Sequence, residues 1–172
     1  RVWLITQAEA YGPSKIGFFD RNRGLGPMHE VIPVANGTVH YDLLFHPNYP
    51  AEPYLYIGSN GPYVNEAMYS RITRYKVQAL AAGEAELVEP LTIIEWPSNG
   101  HNGAAITFGR DGMLYVTTGD GTSDSDTNLR GQDLTELTAK VLRIDVRESK
   151  AEQPYTVPTD NPFVGRAGTR PE

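Results

Sequence analysis

The chain has 172 residues, the size of one domain, and can bury about 70% of its unfolded surface without covalent staples. It has no cysteine, which excludes disulfides, thiolate metal sites and a cysteine nucleophile, and its net charge of -6 speaks against general nucleic-acid binding, which needs a basic footprint. Its 17 glycines, 13 prolines and 10 tyrosines among short apolar runs favour a turn-rich all-β chain, and no run approaches the ~18 residues of a membrane-spanning helix.

Strand patterns begin at once. Residues 1–6 (RVWLIT) alternate and are rich in β-formers, as is the run 15–19 (KIGFF). Residues 20–26 (DRNRGLG) form a turn-rich polar connection. Three further strand candidates follow at 40–45 (HYDLLF), 54–58 (YLYIG) and 71–77 (RITRYKV). The loop 47–53 holds three prolines, so no regular element continues through it. Residues 78–89 (QALAAGEAELVE) contain good helix formers, and a helix reading competes there, limited by Gly83 near the middle and Pro90 at the end.

The richest stretch is 99–121 (NGHNGAAITFGRDGMLYVTTGDG). An apolar run at 104–108, the turn Gly109-Arg110-Asp111-Gly112 and a second run at 113–118 describe two short strands joined by an Asp-Gly turn. A hairpin brings its outer ends together, so His101 before the first strand and Asp120 after the second should emerge at one rim. A carboxylate beside an imidazole fixes its tautomer and stabilises its protonated form, as a general base requires.

An internal repeat points to blades. Leu44-Phe45 matches Thr107-Phe108, the run 54–57 (YLYI) matches 113–116 (MLYV), and 72–77 (ITRYKV) matches 141–146 (VLRIDV). Two copies of strand-turn-strand-loop-strand at nearly constant spacing are what successive propeller blades produce, although a sandwich can mimic them.

The same stretch resembles the glucose/sorbosone dehydrogenase family, the soluble sugar dehydrogenases that use pyrroloquinoline quinone (PQQ) on a six-bladed β-propeller. The matching residues are His101-Asn102-Gly103-Ala104, Phe108-Gly109-Arg110-Asp111-Gly112-Met113-Leu114-Tyr115-Val116 and Gly119-Asp120-Gly121. Phe45-His46-Pro47, Gly131-Gln132-Asp133-Leu134, 141–145 (VLRID) and 158–164 (PTDNPFV) add matches in the same order.

The resemblance implies an all-β fold in which residues 1–172 form one partial propeller domain of two to three blades, truncated at both ends. Such a piece leaves blade faces uncovered, so self-association and no turnover in isolation are expected. It also implies oxidation of an aldose at the anomeric carbon, with His101 as general base and hydride passed to PQQ. Asp120 would be the partner of His101, and Asn102 and Gly103 the candidate substrate contacts. The family further implies Ca2+ bound by residues outside this sequence, an external electron acceptor such as a cytochrome c, and a periplasmic or secreted location.

Plainer readings stand beside these. His101 read alone is a loop histidine in a Gly/Asn turn, Asp120 a strand-ending Asp-Gly turn, and Asn99 and Asn102 members of Asn-Gly turns. His46 in Phe-His-Pro reads as blade-edge structure. In the segment 37–42 (GTVHYD), which holds His40, nothing matches the substrate-contacting Gln of the glucose enzymes. Ala104 stands where the family usually has Gly, and Ala105 where a long side chain is frequent, so the two alanines read as an altered pocket floor. The alternative function is a non-catalytic propeller that binds carbohydrate or protein, as in the related Hedgehog-interacting proteins.

The run Asp124-Ser125-Asp126-Thr127-Asn128 alternates oxygen side chains like an EF-hand loop, but Leu129 stands where glycine is required and Thr135 where glutamate is. It reads as a solvated polar loop. Arg143 and Asp145 alternate with apolar residues, and 159–163 (TDNPF) is a turn; all of these read as structural. No Rossmann, Walker, nucleophile-elbow or zincin motif competes.

Overall fold

The computed structural model describes residues 1–10, 12–23, 26–32 and 37–172. Ten strands follow one another: β1 (Val2–Gln7), β2 (Ser14–Phe19), β3 (His29–Ile32), β4 (Val39–Phe45), β5 (Tyr54–Asn60), β6 (Tyr69–Ala79), β7 (Ala85–Pro97), β8 (Gly103–Phe108), β9 (Leu114–Thr118) and β10 (Val141–Ile144). They form three antiparallel sheets in chain order, β1-β2-β3, β4-β5-β6-β7 and β8-β9-β10. The strands expected from alternation all form, with ends displaced by a residue or two. The polar connection expected at 20–26 includes residues 24–25, which lie outside the described residues.

The helix reading at 78–89 fails. β6 runs through Ala79, a single 3-10 turn occupies Ala81–Gly83, and β7 returns along β6. Pro90 is tolerated because β7 is the last strand of its sheet and the β6–β7 register slips there. Lys76 pairs with Val88 and Arg74 with Leu91, so Glu89 (φ 52) and Pro90 together face Tyr75 in a bulge, and Pro90, which has no N–H, falls outside the registered pairs.

The two copies of the sequence repeat become β4-β5-β6 and β8-β9-β10, which occupy equivalent places in successive sheets. Sheet two is covered on both faces. Along β5, Leu55 and Ile57 turn toward sheet one and pack with Ile16, Phe18 and Val77. The intervening Tyr56 turns the other way, into a core with Ile72, Ile94, Trp96, Ile106, Leu114, Val116, Leu142 and Ile144. This period of two, read into both neighbours, makes the chain a stack of β-propeller blades. Sheet three buries one face only; Val141, 68% exposed, stands on the other with Ala105, Thr107 and Tyr115.

Glycine sets the spacing between sheets two and three. A Cβ on Gly58 of β5 would overlap the backbone carbonyl of Ala104 in β8. Gly58→Ala is therefore expected to lower stability by about 1–3 kcal/mol, read as a shift in the urea midpoint; an unchanged midpoint would contradict this close approach.

Polar ties fix the outer edge of sheet three. Arg143 donates to Asp111 of the β8–β9 turn (2.9 Å) and to Asp160 and Asn161 of the Asp-Asn-Pro turn (2.7 Å each), and Asn161 Nδ2 returns a bond to the Arg143 carbonyl (2.9 Å). The Arg143 guanidinium holds the Asp160 carboxyl below its ordinary value. Arg143 is structural, as its alternation with apolar residues suggests.

Candidate active-site rim

The hairpin of β8 and β9 turns at Gly112 (φ 78), where Gly109 N–H donates to the Met113 carbonyl (2.9 Å), and its open end carries the loops 98–103 and 119–122. These two loops are laced together. Asn99 N–H donates to the Gly121 carbonyl (3.0 Å), and the buried Trp96 indole donates to the Asn102 carbonyl (3.2 Å). Side chains are excluded where the loops cross: a Cβ on Gly119 would overlap the His101 carbonyl oxygen, and one on Gly103 (φ 70) would sit 2.7 Å from Thr117 O, Gly119 N and Thr118 Cα. His101 itself takes φ 39, unusual for a residue with a Cβ. Gly119→Ala should consequently displace the His101 backbone, costing about 1–3 kcal/mol in urea denaturation.

The outcome is the pair that hairpin geometry predicts. His101 Nδ1 lies 3.1 Å from Asp120 Oδ2 and 3.3 Å from Oδ1. Asp120 Oδ1 accepts the amide (2.7 Å) and the hydroxyl (2.6 Å) of Thr122, which leaves Oδ2 to the imidazole. Those Thr122 bonds, supplemented by His101, hold the Asp120 carboxyl below its ordinary value against the cost of partial burial. With an ionised acceptor at Nδ1, the proton of a neutral imidazole belongs on Nδ1, and Nε2 carries the free lone pair. His101 Nε2 has no partner among the described residues, and the side chain is 47% exposed against 17% for Asp120. The carboxylate is seated and the base is open.

The remaining expected residues divide. Asn102 reaches the rim, but both polar ends of its amide are engaged: Oδ1 accepts from Ser98 Oγ and Nδ2 donates to the Tyr41 hydroxyl at 2.7 Å. Gly103 serves the crossing of the loops, pairing with Thr118. The altered pocket floor is not seen at Ala104, whose side chain is fully buried between β5 and β8, with φ 69; that left-handed backbone is a sufficient reason for glycine at the position. Ala105 is exposed on the outer face of sheet three.

His40 is a core residue, with Nδ1 3.0 Å from Ser14 Oγ and its titration pushed down by burial. His46 sits at the opposite end of the strands, edge-on to Phe108, and accepts from Asn48 N–H (3.3 Å). Asp126 spends its carboxylate on the amides of Arg130 and Gly131 (2.7 Å each), closing the polar loop around itself. Among the described residues, no group of three or more His, Asp and Glu is placed to hold a metal ion. Tyr41 is the rim residue that sequence reading missed.

A family model for glucose and sorbosone dehydrogenases matches residues 21–172. The chain belongs to the glucose/sorbosone dehydrogenase family. Among solved members of similar shape, a glucose dehydrogenase-type oxidoreductase from Thermus thermophilus superposes with a TM-score of 0.65 at 26% identity, covering 96% of this chain and 45% of that one. The PQQ-bound aldose sugar dehydrogenase of Streptomyces coelicolor gives a TM-score of 0.61 at 24% identity, over 97% of this chain and 45% of that one, which speaks to the fold alone. A curated relative, the human Hedgehog-interacting protein, is 29% identical over 140 residues, 76% of this chain and 20% of its own length. The HIPL2 protein of Arabidopsis thaliana is 36% identical over 99 residues, 52% of this chain and 14% of its own length. This family member thus spans about half of those solved propellers and a fifth or less of those curated relatives.

Proposed function

We propose that this chain carries the proton-accepting part of a PQQ-dependent sugar dehydrogenase. The observation that carries the reading is the His101–Asp120 pair, open at Nε2 and seated on the hairpin of a propeller of the dehydrogenase family. With Nδ1–H given to Asp120, His101 Nε2 accepts the proton of the anomeric hydroxyl, and the Asp120 carboxylate stabilises the imidazolium that results. Bound PQQ would supply the acceptor for the hydride leaving the anomeric carbon.

The residues present suit the proton half of this chemistry. Gly119 leaves no side chain against the His101 backbone to displace it. The residues present do not identify a partner for the cofactor's carboxylates: the Lys140 ammonium is spent on the carbonyls of Arg130 (2.9 Å) and Thr138 (2.8 Å). Asn102 and Gly103 border the substrate position, Asn102 through its hold on Tyr41. Ca2+, an external electron acceptor such as a cytochrome c and a periplasmic or secreted location are proposed with the reaction, on family likeness alone.

A second reading, a propeller that binds carbohydrate or protein without catalysis, is favoured by the relation to the Hedgehog-interacting protein. Dye reduction across a panel of aldoses, after loading with PQQ and Ca2+, separates the two. Aldose-dependent reduction supports the dehydrogenase, whereas sugar binding without reduction supports the binding module.

A further inference from the structure

We propose that Tyr41 is a substrate-positioning residue of the rim, its phenolic O–H donating to a hydroxyl of the sugar whose anomeric centre faces His101. The proposal rests on the sugar-binding reading above. Its first support is backbone geometry. In the β4–β5 ladder His40 pairs with Ser59 and Asp42 with Gly58, so Tyr41 is the unpaired residue of a bulge. A bulge of this kind re-aims side chains. His40 points to Ser14 in sheet one, while Asp42, two residues on, points the other way and accepts from Ile106 N–H of β8 at 2.8 Å. That bond pins β4 to sheet three beside Tyr41.

The second support is the hydrogen-bond inventory. The Tyr41 oxygen accepts from Asn102 Nδ2 at 2.7 Å, and Asn102 is held from behind by Ser98 and follows His101 in the chain. The phenol's own hydrogen has no acceptor among the described residues, and the residue is 41% exposed. A tyrosine anchored through its oxygen and free at its proton is a fixed donor, and its ring is an apolar platform of the kind a sugar face stacks on. Asn102 therefore acts on substrate through Tyr41.

The test uses Tyr41→Phe in the protein expressed from its complete gene and loaded with PQQ and Ca2+. The ring stays and the hydroxyl goes. On the best aldose of the panel, KM is expected to rise about tenfold with kcat nearly unchanged. Among its monodeoxy analogues, one should show the same rise with the unmodified protein and no further rise with the variant. A purely structural role would weaken every analogue alike, and that result, or an unchanged KM, overturns the proposal. If the unmodified protein reduces no dye, calorimetry of the aldose with the unmodified protein and with the Tyr41→Phe variant decides. Affinity lost with the hydroxyl, on one position of the sugar, upholds the contact; no sugar binding, or equal binding, overturns it.

Discussion

Replacing His101 with alanine in the PQQ-loaded protein is expected to lower aldose-dependent dye reduction by ~10²–10⁴-fold, the usual cost of losing a general base. Stability should move by less than about 1 kcal/mol, because the imidazole is half exposed and its bond to Asp120 is a solvent-exposed hydrogen bond. The loss should appear in kcat with the binding of sugar retained, since Nε2 acts on the proton in flight and the remaining rim is untouched. A variant that keeps full turnover would remove His101 from the chemistry, whatever its motif.

Asp120→Asn is the sharper experiment because it changes charge and tautomer while preserving shape. An asparagine carbonyl can still accept both bonds from Thr122, which occupy Oδ1. Its amide NH2 then faces His101 Nδ1 in place of Oδ2. Nδ1 becomes an acceptor, the imidazole proton moves to Nε2, and the base is presented the wrong way round. Turnover is expected to fall by ~10²–10⁴-fold although the fold survives.

The same pair of proteins reads out pH. Asp120 has a folded-state pKa held below its unfolded value, so its contribution is present above the ordinary carboxylate range and is lost as pH falls through the depressed value. The stability that unmodified protein holds over Asp120→Asn should be lost as pH falls below about 4, through the depressed value of Asp120. Urea midpoints at several pH values below about 5 measure this; a gap that held or widened as pH fell through that range would contradict the assignment.

Sequence reaches as far as the local rules do. The His101–Asp120 pair was legible because a hairpin closes its own ends, and one Asp-Gly turn fixes where they meet. The blade repeat was legible because β5 and β9 carry matching apolar runs between turns. β7 was hidden because helix formers fill 78–89 and a proline follows them, and its place at the sheet edge with a slipped register explains how Pro90 is accommodated. Tyr41 was out of reach for a different reason. Its partner Asn102 is 61 residues away in the loop before β8, and the bulge that aims it leaves no mark in alternation. Ala104 shows the converse: its departure from the family pattern was visible, but its meaning was a buried left-handed backbone and not a changed pocket floor.

The measurement that bears most directly on this account is an absorbance titration of the apo-protein, expressed from its complete gene, with PQQ in the presence of Ca2+, followed by addition of aldose. Saturable binding at micromolar cofactor, with sugar-dependent reduction of the bound quinone that disappears in His101→Ala, is the predicted result. No binding at that concentration, or reduction at the same rate in the variant, would contradict it.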